Sequence, residues 1–220
     1  MIPVRNEEDH IAEAVASARS AASNGVEVIV VDGGSVDSTC ERARAAGAEV
    51  IASEPGRARQ LQAGVTATDA DAVLFLHADT RLPERYAESI RRALADPEVV
   101  GGAFAFRFAE RGAGLRLVEW GVRMRLRLAK LPYGDQGLFA RRATLQTVGG
   151  VPQVPIMEDL DLVRALQAAG RFALLDDTAT TSARRYMRDG VARSVVRNAL
   201  ALVGRAIGID RAKIAAWYRQ

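Results

Sequence analysis

Two short apolar runs, each ending at an aspartate, constrain this chain more than any other feature. Glu27-Val28-Ile29-Val30-Val31 leads into Asp32-Gly33-Gly34, and Ala72-Val73-Leu74-Phe75-Leu76 leads into His77-Ala78-Asp79. Runs of this length without polar alternation read as strands buried on both faces. Helical patterns lie between them. Ile11, Ala14, Val15 and Ala18 share one face of a helix over residues 11–22. Asp37-Ser38-Thr39 supplies cap chemistry for a helix reaching about Ala46, and Arg57–Ala67 forms another. Ala48–Ala52 reads as a further strand and Pro83–Ala95 as a further helix. Strands alternating with helices predict an α/β domain around a mostly parallel sheet, with ligands beyond the carboxyl ends of the strands. Asp32 and Asp79 both fall at such ends.

The second half is less regular. Gly101–Phe108 reads as a strand, and Leu115–Leu131 as an amphipathic helix carrying Arg116, Arg123, Arg125, Arg127 and Lys130. A short strand is expected around Leu138-Phe139, then a loop over residues 149–155 and a helix from Glu158 to Ala169, closed by Gly170. Helical pattern returns from Gly190 to Tyr218, broken near Gly208. No repeat, linker or low-complexity segment divides the chain, so one domain over residues 1–220 is expected. Met1–Val4 is short for a central strand, which predicts a weakened edge beside Asp32.

Composition mainly excludes. The chain of 220 residues has a net charge of +3 and only 5% aromatics, without the basic stripe and stacking platform of a nucleic-acid binder. Cys40 is the only cysteine, so no internal disulfide can form and a reducing, cytoplasmic setting is expected. Met1 is followed by a charged cluster from Arg5 to Asp9, which does not read as a leader. No run approaches the roughly 18 apolar residues that span a bilayer. Contact with a membrane surface through residues 115–131 and the C-terminal helices, using Trp120, Trp217 and their arginines, stays open.

The acidic residues carry the chemistry. Asp32 and Asp79 end strands, His77 lies two residues before Asp79, and Glu158-Asp159 opens a helix with Asp161 just beyond. Any one aspartate at a strand end is commonly a turn former. Carboxylates gathered on one rim suit a divalent cation that bridges a diphosphate, and Asp32 alternatively suits a base or ribose. A dinucleotide-dependent oxidoreductase is disfavoured, because no G-x-G-x-x-G follows a strand. A nucleotidyltransferase would want a glycine-rich loop where Pro3–Glu7 has no glycine. A non-catalytic membrane-surface protein is the remaining rival.

Taken together, Ile2–Glu8 (IPVRNEE), Val30–Thr39 (VVDGGSVDST), Leu74–Thr80 (LFLHADT) and Met157–Asp161 (MEDLD) resemble family 2 glycosyltransferases in order and context. EPGRARQLQAG, FLHADT and YGDQGLF resemble a bacterial subgroup associated with arsenosugar biosynthesis and selenium domains. The resemblance implies a single GT-A domain, Rossmann-like, with a mixed, mostly parallel sheet and C-terminal helices. It divides the chain into a nucleotide-binding half (1–100), an acceptor half (101–189) and C-terminal helices (190–220).

The implied enzyme is a hexosyltransferase-type glycosyltransferase. It would move sugar from a nucleotide-diphosphate donor, with UDP favoured, to an acceptor hydroxyl with inversion. The resemblance assigns Pro3, Arg5, Asn6 and Glu7 to the nucleotide, Asp32 to uracil or ribose, and Asp37 to the adjoining turn. Arg57, Arg59 and Gln60 would reach base or diphosphate. His77 and Asp79 occupy the DXD position, with Asp79 the ligand of Mn²⁺ or Mg²⁺ and His77 a hydrogen-bonding neighbour of ribose or phosphate. Asp159 of the Glu158-Asp159 pair is the implied general base. Asp135, Gln136, Glu158, Arg184, Arg185 and Tyr186 are expected around the acceptor or diphosphate, and a lipid-linked acceptor at the inner face of the cell membrane is one expectation.

Overall fold

The computed structural model describes residues 1–20 and 25–218. β1 (Ile2–Val4), β2 (Ile29–Asp32) and β3 (Glu49–Ala52) pair in parallel, in that order. β4 (Ala72–Phe75), β7 (Leu138–Arg141), β6 (Val99–Phe108), β8 (Arg171–Thr181) and β5 (Thr80–Arg81) form the rest of the sheet, also in that spatial order. Main-chain bonds join the two sets. The Met1 nitrogen donates to the Leu74 carbonyl at 2.7 Å and the Leu76 N–H to the Met1 carbonyl at 2.9 Å. That is the bonding of a parallel pair. The sheet therefore runs β3-β2-β1-β4-β7-β6-β8-β5. β1 is central, with Ile2 and Val4 buried, so the weak edge expected beside Asp32 is not found.

Helices cover both faces. α1 (Ile11–Arg19), α2 (Thr39–Ala45) and α4 (Tyr86–Leu94) set Ile11, Val15, Ala43 and Ile90 against one face of the strands. α3 (Arg57–Thr66), α6 (Arg142–Thr147) and α7 (Glu158–Ala169) set Leu61, Leu145, Leu162 and Leu166 against the other. Each large aliphatic side chain buried here contributes roughly 1.5–3 kcal/mol. α5 (Ala113–Ala129), α8 (Arg184–Asp189) and α9 (Val191–Ala206) close over a smaller cluster of Phe106, Phe108, Leu115 and Val122. Asp161 on α7 pairs at 2.5 Å with both Arg205 of α9 and Arg211 of α10 (Arg211–Tyr218), fixing the C-terminal helices to the body.

The alternating strands and helices of the first hundred residues appear where expected, with ends shifted by one to three residues. The helix expected over 11–22 stops at Arg19, and residues 21–22 lie outside the described residues. β8 was not expected. Its pairing with β6 jumps between Leu175 and Thr178, so Asp176-Asp177 form a bulge that breaks the period-two pattern. β7 and β5 run antiparallel to their neighbours, and the sheet is parallel from β3 to β4 and mixed beyond.

Candidate active site

Two turns at the carboxyl ends of the strands define the site. The first follows β2 and is bonded to the loop that follows β1. The Asp32 carboxylate accepts the N–H groups of Gly34 and Ser35 and the Ser35 hydroxyl, the last at 2.5 Å. Asn6 lies in the left-handed region at φ 55°. Its N–H donates to Ser35 Oγ and its Oδ1 accepts from Val36 N, both at 2.9 Å. Asp37 accepts the Thr39 N–H and hydroxyl on one oxygen and the Glu8 N–H on the other. The Thr39 hydroxyl does most to hold the Asp37 carboxyl below its ordinary range. Pro3 is half-buried within β1, and Arg5 is exposed.

Gln60, expected against the base or diphosphate, lies beneath this turn instead. It is 5% exposed, and its amide donates at 2.8 Å to the carbonyls of both Val4 and Val31. A β-carbon on Gly33 would come within 2.9 Å of that amide, so the turn requires glycine there by proximity. Arg59, one residue before, is exposed on α3.

The second turn, Tyr133–Gln136, meets α3, the end of β4 and the start of α7. Asp159 accepts the Gly134 N–H on Oδ2 at 2.7 Å and the Leu160 N–H on Oδ1 at 2.8 Å. A β-carbon on Gly134 would stand 2.5 Å from Arg57 Nη2, 2.8 Å from His77 Nε2 and 3.2 Å from Asp159 Oδ2. Those three side chains, far apart in sequence, converge on one bare backbone position. Arg57 also pairs with buried Glu158 at 2.8 Å and donates to His77 Nε2. Burial first, then the charges of Arg57 and Arg185, pushes the His77 pKa well below its usual value. The ring is thus neutral, with Nε2 as acceptor.

Asp79 and the N-terminal loop are tied through Arg184. Its Nη2 lies 2.7 Å from Glu7 Oε2 and 3.6 Å from Asp79 Oδ2. Asp79 also borders a cavity of about 270 Å³ shared with Asp9, His10, Glu13 and Glu110.

Within the second turn the two expected residues part ways. Gln136 is fully buried and does not face the site. Its amide donates to Phe104 O, and its Oε1 accepts from Tyr133 N and Arg125 Nη2. Asp135 is half-buried, with an enclosed Oδ1 that has no hydrogen-bond partner. Burial raises its pKa to about 6, opposed by Arg125 and Arg57 and reinforced by Asp159 and Asp79. Tyr186 belongs to the small core, edge-on to Phe108 with its hydroxyl bonded by Asn198. Arg185 is exposed near the Tyr218 ring. Reading the sequence missed Gly134 and Arg125. The guanidinium of Arg125 lies 3.5 Å from the centre of the Tyr133 ring, bracing the turn. The only sequence signal for Gly134 was its place before the aspartate of YGDQGLF.

Among the described residues, no three His, Cys, Asp or Glu side chains gather into a ready-made cation cage. Asp79 fits another arrangement, in which a hard cation takes one or two carboxylates and fills its remaining positions with phosphate oxygens and water. His77 Nε2, held by Arg57, is not offered as a ligand.

The model of the family described as "Glycosyl transferase family 2" matches residues 1–145. No curated protein matches the chain. Among solved structures the fold resembles glucosyl-3-phosphoglycerate synthase from Mycobacterium tuberculosis in complex with Mn²⁺, UDP and phosphoglyceric acid. That match has a TM-score of 0.63 and 22% identity, and covers 91% of this chain and 76% of the other. The same synthase with Mn²⁺, UDP-glucose and glycerol 3-phosphate gives 0.61 and 22%, over 91% and 77% of the two chains. A structure described only as a mycobacterial protein gives 0.57 and 25%, over 91% and 72%.

Proposed function

Because the chain belongs to glycosyl transferase family 2, we propose that this glycosyltransferase takes its sugar from a UDP-sugar and transfers it with inversion to an acceptor hydroxyl. The convergence of Arg57, His77 and Asp159 on Gly134, on the rim that also carries Asp32 and Asp79, is the observation that carries this reading. The UDP, UDP-glucose and Mn²⁺ held by the similar synthases support the donor class.

In this reading Pro3, Arg5, Asn6, Glu7 and Asp32 line the nucleotide, and Asp37 keeps their turn in shape. Arg57, Arg59 and Arg184 face the diphosphate. Asp79 would hold Mn²⁺ or Mg²⁺, which when bound neutralises charge on the departing diphosphate. Neutral His77 accepts from Arg57 and orients it toward the phosphates. The acceptor oxygen attacks the anomeric carbon, and its proton passes to a carboxylate beside Gly134, for which the family motif nominates Asp159. Residues 1–100 form the donor half, residues 101–189 the acceptor half and residues 190–220 the supporting helices. YGDQGLF and its companion phrases support the bacterial, arsenosugar-associated subgroup, and the single Cys40 supports a reducing, cytoplasmic setting.

A lipid-borne acceptor is supported by one observation. Leu117, Trp120 and Leu128 on α5, and Val196, Leu200 and Val203 on α9, are exposed apolar side chains on neighbouring helices. α5 is rich in arginine, and its one acidic residue, Glu119, is buried against Phe108 N. No described helix is long and apolar enough to cross a membrane, so contact would be at the surface. Co-sedimentation with anionic vesicles tests this part. The donor class is tested by thermal shift against UDP-, GDP- and dTDP-sugars with and without Mn²⁺. Selective stabilisation by UDP-sugars with Mn²⁺ is expected, and indifference to all three would sink the reading.

A further inference from the structure

Arg184, the first residue of α8, stands between two carboxylates of the donor rim. Its Nη2 donates to both oxygens of Glu7, at 2.8 and 2.7 Å, and lies 3.6 Å from Asp79 Oδ2. Among the described residues neither carboxylate has another ion-pair partner.

The backbone that carries this arginine is fixed against Asp79. The Ser182 N–H donates to the Asp79 carbonyl at 3.0 Å, and Thr181 pairs with Thr80. Glu110 accepts the Ser182 hydroxyl and the Ala183 N–H. The side chain is freer. It is about half-exposed, and its Nε and Nη1 make no hydrogen bond among the described residues. Its main tether, Glu7, belongs to the nucleotide turn, because the Glu7 N–H donates to Thr39 Oγ1 at 2.7 Å. The guanidinium can therefore swing about Glu7 while its backbone stays in place.

We propose that Arg184 is the counter-ion of Asp79 in the free protein, and that it moves to the diphosphate when a divalent cation takes the carboxylate. This rests on the glycosyltransferase reading above and adds how metal and donor come to depend on one another. A cation bonded to Asp79 would face the guanidinium at close range, and like charges repel in inverse proportion to distance. With the cation alone, Arg184 loses one partner and gains none. With a diphosphate present, its planar fork finds phosphate oxygens, for which it is well shaped. Arg184 thus opposes the metal without nucleotide and tolerates it with nucleotide. By linkage the same coupling strengthens nucleotide binding when metal is present.

The test follows the spin-resonance signal of free Mn²⁺ at pH 7, with and without UDP, corrected for Mn²⁺ that UDP holds in solution. In the wild-type protein UDP should tighten Mn²⁺ binding. In Arg184→Gln, Mn²⁺ alone should bind roughly 3–30-fold tighter, and Mn²⁺ with UDP no tighter than wild type, so the gain from UDP shrinks. A charge acting merely at a distance would tighten both states alike. That result, or no tightening without UDP, would overturn the proposal. Arg188→Gln removes a charge paired with Asp189 on the same helix and should leave both affinities unchanged; an effect equal to that of Arg184→Gln would also refute it. Asp79→Asn should abolish Mn²⁺ binding, and intact binding would sink the metal assignment together with this proposal. Failure of wild-type protein to bind UDP would sink the donor reading, while Mn²⁺ alone in Arg184→Gln still decides whether Arg184 is the counter-ion.

Discussion

The turn after β2 and the turn before β7 both carry an aspartate at the rim, and they treat it in opposite ways. Asp32 is saturated by its own loop, with two N–H groups and a hydroxyl folded onto one carboxylate. Asp135 lies in a turn whose closing bonds are made by Gln136 and Tyr133, leaving the carboxyl out of the arrangement. The first loop is a finished mould that a ligand meets in final shape. The second holds a charged group in an unfavourable setting, as catalytic sites commonly do.

Substitutions can break this contrast. The largest effect is expected from Gly134→Ala. The new methyl would collide with the ends of Arg57, His77 and Asp159, which can swing aside but lose their alignment. Transfer should fall by at least about 100-fold, while the melting temperature moves little; a silent variant would show that the convergence is incidental. Asp32→Ala removes charge-assisted bonds that shape the first turn, so UDP affinity by calorimetry should drop roughly 10–100-fold. Unchanged affinity would mean that the mould does not touch the nucleotide.

Smaller effects sharpen the comparison through stability. Burial holds the Asp135 pKa at about 6, above the ordinary aspartate value of 3.8. A raised carboxyl pKa means that ionisation disfavours the folded state, so the penalty is absent below about pH 4 and complete above about pH 6. Asp135→Asn should therefore gain up to roughly 2–3 kcal/mol at pH 7 and almost nothing at pH 4 by chemical denaturation. Gln60→Ala should lose roughly 1–3 kcal/mol by leaving the Val4 and Val31 carbonyls without their shared donor. Met157 precedes the Glu158-Asp159 pair at φ 63°. Glycine there trades about 1–2 kcal/mol of backbone strain against glycine's chain entropy, so Met157→Gly should shift stability by less than about 1 kcal/mol.

The first hundred residues were legible from the sequence because their signals are local. A β-branched run, an aspartate, two glycines and a capping segment are contiguous, and they fold into contiguous structure. The rest of the chain was harder to read, since β8 hides its alternation behind the bulge at Asp176-Asp177. The expected site residues divided along similar lines. Asp79, Asp159 and Arg57 could be named from motifs, but only packing distinguishes Gln60 under the turn, or Gln136 in the core, from residues that face outward. Gly134 matters for what it lacks, and a missing side chain becomes informative only when its neighbours are known.

Gln60 and Arg57 lie three residues apart on α3, one turn of the same helix. The first grips the ends of β1 and β2 from below, and the second stands against Gly134 and His77. α3 therefore works as an axle shared by both turns. A ligand that displaces Arg57 must load the strand ends through less than 6 Å of rigid helix. The Gly33 N–H bonds to the same Val4 carbonyl that Gln60 grips, so its deuterium uptake should respond when a ligand moves Arg57 at the other end of that turn of helix.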